Sequence, residues 1–233
     1  MTHDPDQKAA AGTARYPVWD LPVRLLHGLI AGLFTILAVT GLVERTPGHI
    51  HLWAGYLLLV AVLVRLMWGF VGSDSALFSR FVRGPRAVLG YLPRLVSTRP
   101  TRWPGHNPIG ALYVVAVLAL LLMVCITGLF FESWAEVRGP LAERVPRSMA
   151  ISMSDWHGVL LWPTLALVCV HVLVTLGYRV FKSEDRIGPI FGDGRVELEH
   201  DPGIGLAAPR RALWIAVISV IAVAAVVWIG PLR

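Results

Sequence analysis

Five apolar stretches, each about 20 residues long, constrain the fold of this chain more than any other feature of its sequence. They cover residues 22–43, 51–71, 108–131, 154–180 and 212–230. A helix of about 20 apolar residues is long enough to cross the hydrocarbon core of a bilayer. The sequence therefore predicts an all-α integral membrane protein, a helical bundle in which these stretches are spans one to five.

The composition of the chain excludes several other classes of protein. Its residues are 55% hydrophobic and 15% charged, whereas a soluble domain has about 45–50% and about 25%. Intrinsic disorder would require low hydrophobicity. Cys125 and Cys169 lie inside apolar stretches, which argues against a disulfide scaffold. The net charge of +6 does not indicate a nucleic-acid partner, because excess Arg also marks the cytoplasmic loops of membrane proteins.

The distribution of Lys and Arg predicts the orientation. Fifteen of the 21 Lys and Arg residues lie on the side that holds the N-terminus and the loops 72–107 and 179–211. Positively charged loops stay in the cytoplasm. We therefore expect a multi-pass membrane protein with its N-terminus in the cytoplasm and its C-terminus outside.

These expectations divide the chain into four parts. Residues 1–17 form a disordered cytoplasmic tail, 18–182 a four-helix core, 183–210 a cytoplasmic linker and 211–233 a fifth transmembrane helix, expected to be a lipid-facing anchor. The segment 83–97 alternates Arg with apolar residues. It is either a short interfacial stretch or an ordinary basic loop.

Two histidines of span four are separated by nearly a whole number of helical turns. His157 and His171 are fourteen residues apart, which is just under four turns, so both lie on one face and about 21 Å apart along the axis. That distance is too long for one shared metal ion, whose ligands lie about 2 Å from it. It suits two stacked macrocycles, one in each leaflet.

Depth in the membrane predicts a partner for each of these histidines. His27, early in span one, and His171, late in span four, lie in the cytoplasmic half; we call them the inner pair. His51, at the start of span two, and His157 lie in the periplasmic half and form the outer pair. His49 is the alternative to His51. For any single histidine, the alternative role is a hydrogen bond to a backbone carbonyl.

Paired imidazoles indicate haem chemistry. Two histidines fill both axial positions of a haem iron and leave no open site, so such a haem transfers electrons. The sequence has no CxxCH motif, and the two haems would therefore be b-type. Glycines near the pairs would admit a flat ring or, alternatively, pack helices closely: Gly28, Gly32, Gly55, Gly158 and Gly177.

Four motifs occur along the chain in a recognisable order. They are 18–24 (VWDLPVR) followed by His27, 51–56 (HLWAGY) followed by 65–70 (RLMWGF), 105–108 (GHNP) with Gly110, and 155–157 (DWH) followed by His171. Together they resemble the bacterial di-haem cytochrome b561 superfamily, and within it the group that includes the b-type cytochrome subunit of nickel–iron hydrogenases. The resemblance covers roughly residues 16–195.

The resemblance implies four helices that hold two haems b, with ligands on helices one, two and four. These ligands correspond to His27 with His171 and His51 with His157. The fifth span and the linker before it depart from the four-helix pattern.

The resemblance also implies a location in the bacterial inner membrane, with the C-terminus in the periplasm. It further implies electron transfer between membrane quinone and a periplasmic partner, such as a cytochrome c, a hydrogenase or another dehydrogenase. Arg24 and Arg65 are candidates to bind haem propionates, and Arg24, His106 and Asn107 to bind quinone. Alternatively, Arg65 snorkels toward a helix end. The alternative role of His106 is independent of this: it caps span three before Pro108, with Asn107 as the N-cap and Pro108 as the first helical position.

Two other functions remain compatible with the sequence. One is a stand-alone cytochrome b561-type oxidoreductase that acts on superoxide or another small oxidant. The other is a non-haem membrane metal transporter, which would be colourless when purified. The sequence permits a homodimer and does not require one.

Overall fold

The computed structural model describes residues 13–42, 48–97, 101, 103–132 and 138–229. In chain order its elements are β1 (Ala14–Pro17), α1 (Leu21–Leu42), α2 (His49–Val71), α3 (Phe78–Phe81), α4 (Pro85–Val96), α5 (Pro108–Leu129), a 3₁₀ turn (Ala142–Arg144), α6 (Arg147–Phe181), α7 (Gly188–Phe191), β2 (Arg195–Leu198) and α8 (Pro209–Ile229). Helices dominate the described residues, and the all-α membrane bundle predicted from the sequence is confirmed.

Five helices are long and apolar enough to cross a membrane: α1, α2, α5, α6 and α8. They correspond to the five predicted spans. Helix α6 has 35 residues and begins earlier than predicted, at Arg147 directly after Pro146. At 1.5 Å per residue it is about 50 Å long, well beyond the roughly 30 Å of a hydrocarbon core. It is therefore longer than one perpendicular crossing of the membrane requires.

Side-chain caps fix where two of the spanning helices begin. The Asn107 side chain accepts a hydrogen bond from the Gly110 amide at 2.7 Å, and Pro108 is the first residue of α5. This is the capping arrangement that the sequence allowed as an alternative role for Asn107. Asp20 accepts from the Val23 amide at 2.7 Å at the start of α1. Its other oxygen accepts from Nε1 of the buried Trp68 in α2, at 2.9 Å.

Helix α2 lies at the centre of the bundle and packs against α1, α5 and α8. Its buried residues include Leu58, Val62 and Trp68, which join the two apolar clusters of the core. Helix α6 packs mainly on α5. As a result, α1 and α2 face α6 across a cleft, and the four paired histidines lie along this cleft.

The fifth spanning helix is more than a lipid-facing anchor, which corrects the sequence-based expectation. Ile215, Ser219 and Val223 of α8 are buried because their spacing of four residues puts them on one face, against α2. Just before α8, the Gly205 amide donates to the Asp74 carboxylate at 3.0 Å and the Ala207 amide to the Ser73 hydroxyl at 2.9 Å. These bonds attach the entry of α8 to the chain that follows α2.

The predicted tail and linker are partly ordered. The expectation of a disordered tail over 1–17 is wrong for Ala14–Pro17, which pairs antiparallel with Arg195–Leu198; residues 1–12 lie outside the described ranges. The pairing is extended because the Val18 and Trp19 amides both donate to the Gly194 carbonyl at 2.9 Å. The backbone of this segment is thus ordered by hydrogen bonds to a distant segment, which the polar local sequence does not predict.

Candidate functional site

The structure brings the paired histidines together. The ring centres of His27 (α1) and His171 (α6) lie 6.2 Å apart, with an angle of 52° between the ring planes. Those of His51 (α2) and His157 (α6) also lie 6.2 Å apart, at 75°. His49, the alternative to His51, is exposed at the first position of α2. The partners are those expected from depth in the membrane.

The separation within both pairs fits a metal bound between the two rings. A metal–imidazole bond is about 2 Å long and the ligating nitrogen lies about 1 Å from the ring centre, so two rings on opposite sides of one metal have centres about 6 Å apart. Each observed distance of 6.2 Å agrees with this value. The residues of each pair would therefore fit as two ligands of one metal ion.

A cavity of about 320 Å³ lies beside the outer pair, between α1, α2, α5 and α6. This volume falls in the range of about 300–1,000 Å³ that is usual for ligand sites. Its lining is mostly apolar and includes both outer histidines, Gly55 and Gly158. An apolar cleft with two facing imidazoles fits a flat macrocycle that carries a metal ion at its centre.

Hydrogen bonds hold both outer imidazoles through Nδ1. His51 Nδ1 lies 2.8 Å from the hydroxyl of Thr40, near the end of α1. His157 Nδ1 lies 2.9 Å from the Val124 carbonyl and 3.3 Å from the hydroxyl of Thr127, both in α5. Histidines that bind metals usually donate their second ring N–H to such an acceptor.

Two glycines allow the helices to approach the outer rings closely. A Cβ atom added at Gly41 would lie 3.3 Å from Cε1 of His51, and one at Gly128 would lie 3.1 Å from Cε1 of His157. Of the glycines singled out in the sequence, Gly55 and Gly158 line the outer cavity. The sequence analysis missed Gly41 and Gly128, although Thr-Gly-Leu occurs at both 40–42 and 127–129.

Aromatic side chains surround the inner pair. Tyr113 stacks on His171, with ring centres 5.0 Å apart and an angle of 11° between the planes. Phe191 of α7 contacts His27 edge-on, with ring centres 5.5 Å apart. Within the described part of the chain, His27 Nδ1 is buried without a hydrogen-bond partner. The inner rings are therefore held mainly by aromatic packing.

Several buried polar atoms without hydrogen-bond partners lie at the end of the bundle that holds the inner pair. Buried nitrogens of Arg24, Arg65 and His106 have no hydrogen-bond partner among the residues that the structure describes. Arg65 interacts electrostatically with both His27 and His106. Buried donors and cations of this kind normally bind an acceptor or an anion. The arrangement fits the carboxylates of a porphyrin cofactor.

His106 lies between aromatic residues and is uncharged. Its ring centre is 4.8 Å from that of Trp19 and 4.5 Å from that of Phe81. Burial, reinforced by the positive charge of Arg65, lowers the pKa of His106 to about 3. At neutral pH His106 can therefore act as a hydrogen-bonding group, but it does not contribute a positive charge.

Comparison with known proteins identifies the family. The family described as prokaryotic cytochrome b561 matches residues 18–193, a segment that contains all four paired histidines. The chain belongs to the prokaryotic cytochrome b561 family. Membership makes it a multi-pass membrane b-type cytochrome, and the resemblance noted in its sequence motifs is confirmed. As a b-type cytochrome it binds haem b.

Several relatives of this cytochrome b561 are described as "Probable Ni/Fe-hydrogenase B-type cytochrome subunit". The relative from Azotobacter vinelandii is 27% identical, over 86% of this chain and 96% of its own. The one from Cupriavidus necator is also 27% identical, over 71% and 87%. A relative from Escherichia coli K12, named as the hydrogenase 1 subunit, is 24% identical, over 76% and 89%. No solved structure gives a significant match.

Proposed function

We propose that this chain is a di-haem cytochrome b that carries electrons across the membrane between the quinone pool and a periplasmic redox partner. The observation that carries the proposal is the presence of two histidine pairs, each with ring centres 6.2 Å apart. In this proposal His27 and His171 bind the inner iron, and His51 and His157 bind the outer iron. Each haem, when bound, gains and loses one electron.

Each histidine pair would supply two ligands to its iron, so neither iron would need a substrate or an oxygen molecule as a ligand. Since α6 contributes one histidine to each pair, a single helix fixes the relative position of the two haems. The apolar lining of the cleft limits water around the rings. These features favour electron transfer over chemistry at the iron.

Single arginine nitrogens without hydrogen-bond partners support a further assignment at the inner haem. We assign the buried nitrogens of Arg24 and Arg65 to the propionates, because charge-assisted hydrogen bonds to carboxylates would satisfy donors that otherwise lack partners. His106, which is neutral, lies at the same end and could hydrogen-bond a quinone head group. Asn107 is a weaker quinone candidate, because its side-chain oxygen caps α5.

The partner and the orientation are also proposals. The relatives are named as hydrogenase cytochrome subunits, which supports a nickel–iron hydrogenase as the periplasmic partner. The excess of Lys and Arg on the N-terminal side supports a cytoplasmic N-terminus in the inner membrane. Under this orientation the outer pair faces the hydrogenase, and the inner pair delivers electrons toward quinone.

The haem content of the purified full-length chain tests the proposal. A pyridine haemochrome assay in detergent should give two haems b per chain, and dithionite should produce the α-band of b-type haems. One haem per chain would overturn the di-haem assignment. A folded, colourless protein would instead support the metal-transporter function.

The hydrogenase partner needs a separate test in native membranes. Hydrogen gas should reduce the b-haems of membranes that contain the wild-type chain. The same treatment should fail when the outer ligand His157 is replaced by Ala. Reduction by another donor, but not by hydrogen, would show that the partner is a different dehydrogenase.

A further inference from the structure

The same dipeptide contacts each outer histidine. Thr40-Gly41, near the end of α1, lies against His51, and Thr127-Gly128, near the end of α5, lies against His157. In both cases the threonine hydroxyl is near Nδ1 and the glycine lies beside Cε1. Two separate helices thus make the same contacts with the two imidazoles of one site.

The hydroxyl hydrogens of Thr40 and Thr127 are donated to backbone carbonyls within their own helices. The Thr40 hydroxyl donates to the Ile36 carbonyl at 2.8 Å. The Thr127 hydroxyl lies 2.9 Å from the carbonyls of both Met123 and Val124. Since each hydroxyl has one hydrogen and two acceptor positions, each threonine oxygen is left as an acceptor toward the imidazole.

This arrangement determines the tautomer of both rings. Nδ1 must carry the proton, because it faces the Thr40 oxygen in His51 and, in His157, the Val124 carbonyl, which can only accept. In a neutral imidazole with a protonated Nδ1, the other nitrogen, Nε2, is unprotonated and can bind a metal. The contacts around the outer pair therefore prepare Nε2 of each ring as a ligand.

We propose that Thr40-Gly41 and Thr127-Gly128 are positioning pairs for the outer haem. Each threonine accepts the Nδ1 hydrogen, and each glycine lets the helix backbone lie against the ring edge, so that both rings present Nε2 to the iron. The N–H···O bond also makes the imidazole a stronger donor, which stabilises the ferric state and lowers the midpoint potential of the outer haem. The inference rests on the proposed ligation by His51 and His157.

Thr40→Val provides the sharpest test, because valine keeps the shape of threonine and removes the acceptor. Redox titration of the purified full-length chain should show the outer haem shifted to a more positive midpoint potential, with both haems retained and the inner potential unchanged. The outer haem is identified as the one missing from His157→Ala. Its low-spin EPR signal should also move, because the ring of His51 is less constrained.

Matched variants separate this role from general packing. Thr40→Ser keeps the acceptor and should restore the wild-type potential. Thr127→Val should give a smaller shift, since the Val124 carbonyl still accepts from His157. Thr35→Val removes the same intrahelical bond from an exposed residue of α1 and should change neither potential.

The glycines are tested through the occupancy of the outer haem. Gly41→Ala and Gly128→Ala each introduce a methyl group within contact of a ring and should lower outer-haem content. Gly90→Ala in α4, where an added Cβ meets nothing within 4 Å, should keep both haems.

One result would contradict the positioning role alone, and another would contradict the proposed function. If the wild-type chain holds two haems and Thr40→Val changes neither the potential nor the EPR signal of the outer haem, the positioning role is wrong and the proposed function stands. If the wild-type chain holds no haem, the proposed function itself fails.

Discussion

The ring centres of His27 and His171 lie 6.2 Å apart, although one residue belongs to the first helix and the other to the sixth. His171→Ala should therefore remove the inner haem and leave the outer one. The haemochrome assay should fall from two haems per chain to one, and His157→Ala should give the same count with the other haem lost. His200→Ala, in an exposed segment, is the control. Retention of both haems in His171→Ala would refute the pairing.

Arg65 places a buried positive charge near His27. A nearby cation favours the reduced haem, which has one positive charge less than the oxidised haem. We expect Arg65→Gln to shift the inner midpoint potential to more negative values in a redox titration. The exposed Arg86 of α4 supplies the control, since Arg86→Gln should leave both potentials unchanged. A shift confined to the outer haem would contradict this placement of the charge.

Phe191 covers one edge of the His27 ring. Phe191→Ala should admit water beside the inner haem and lower its midpoint potential, because a more polar surrounding stabilises the charged oxidised state. Haem content should stay at two per chain. Phe181, at the end of α6, is exposed like Phe191 but has no ring contact with a histidine among the described residues, so Phe181→Ala provides a control of the same size. Equal potentials in Phe191→Ala and wild type would show that Phe191 does not shield the site.

His106 makes the stability of the protein depend on pH. Burial lowers its pKa to about 3, so it stays neutral in the folded state while the unfolded chain binds a proton below about pH 6.5. The free energy of unfolding therefore falls as the pH decreases from about 6.5 toward 3. At pH 5 the loss from this residue is at most about 2 kcal/mol.

The His106→Phe variant isolates this contribution. Phenylalanine preserves the aromatic contacts with Trp19 and Phe81 and does not titrate. Between pH 7 and pH 5, thermal unfolding in detergent should show a smaller decrease in Tm for His106→Phe than for wild type. His200→Phe should match wild type. A wild-type pH dependence in His106→Phe would mean that other groups cause the decrease.

The histidine pairing could be predicted from the sequence because it depends on few variables. The order of the spans and the distribution of Lys and Arg give the direction of each helix, and helical periodicity puts His157 and His171 on one face. Depth then allows only His27 beside His171 and only the start of α2 beside His157. Few pairings were therefore possible, and the structure brings the expected residues together. Their ligation of iron stays a prediction.

Contacts between distant segments could not be predicted in this way. The strand Ala14–Pro17 has a polar local sequence, and its partner Arg195–Leu198 lies near the other end of the chain. The contact of Thr40 with His51 depends on how α1 and α2 face each other, which periodicity within one helix does not determine. Likewise, hydropathy identifies α8 as a span and does not say that Ser219 faces α2.

The pairing of β1 with β2 also has a consequence for biosynthesis. Because β2 follows α6, its strand leaves the ribosome only after all four paired histidines have been translated. Each histidine pair also needs a residue from α6, so a nascent chain that ends before this helix contains no complete pair. If the proposed ligation is right, both haems can be enclosed only after α6 has been synthesised, and Ala14–Pro17 can pair only once Arg195–Leu198 has also been translated.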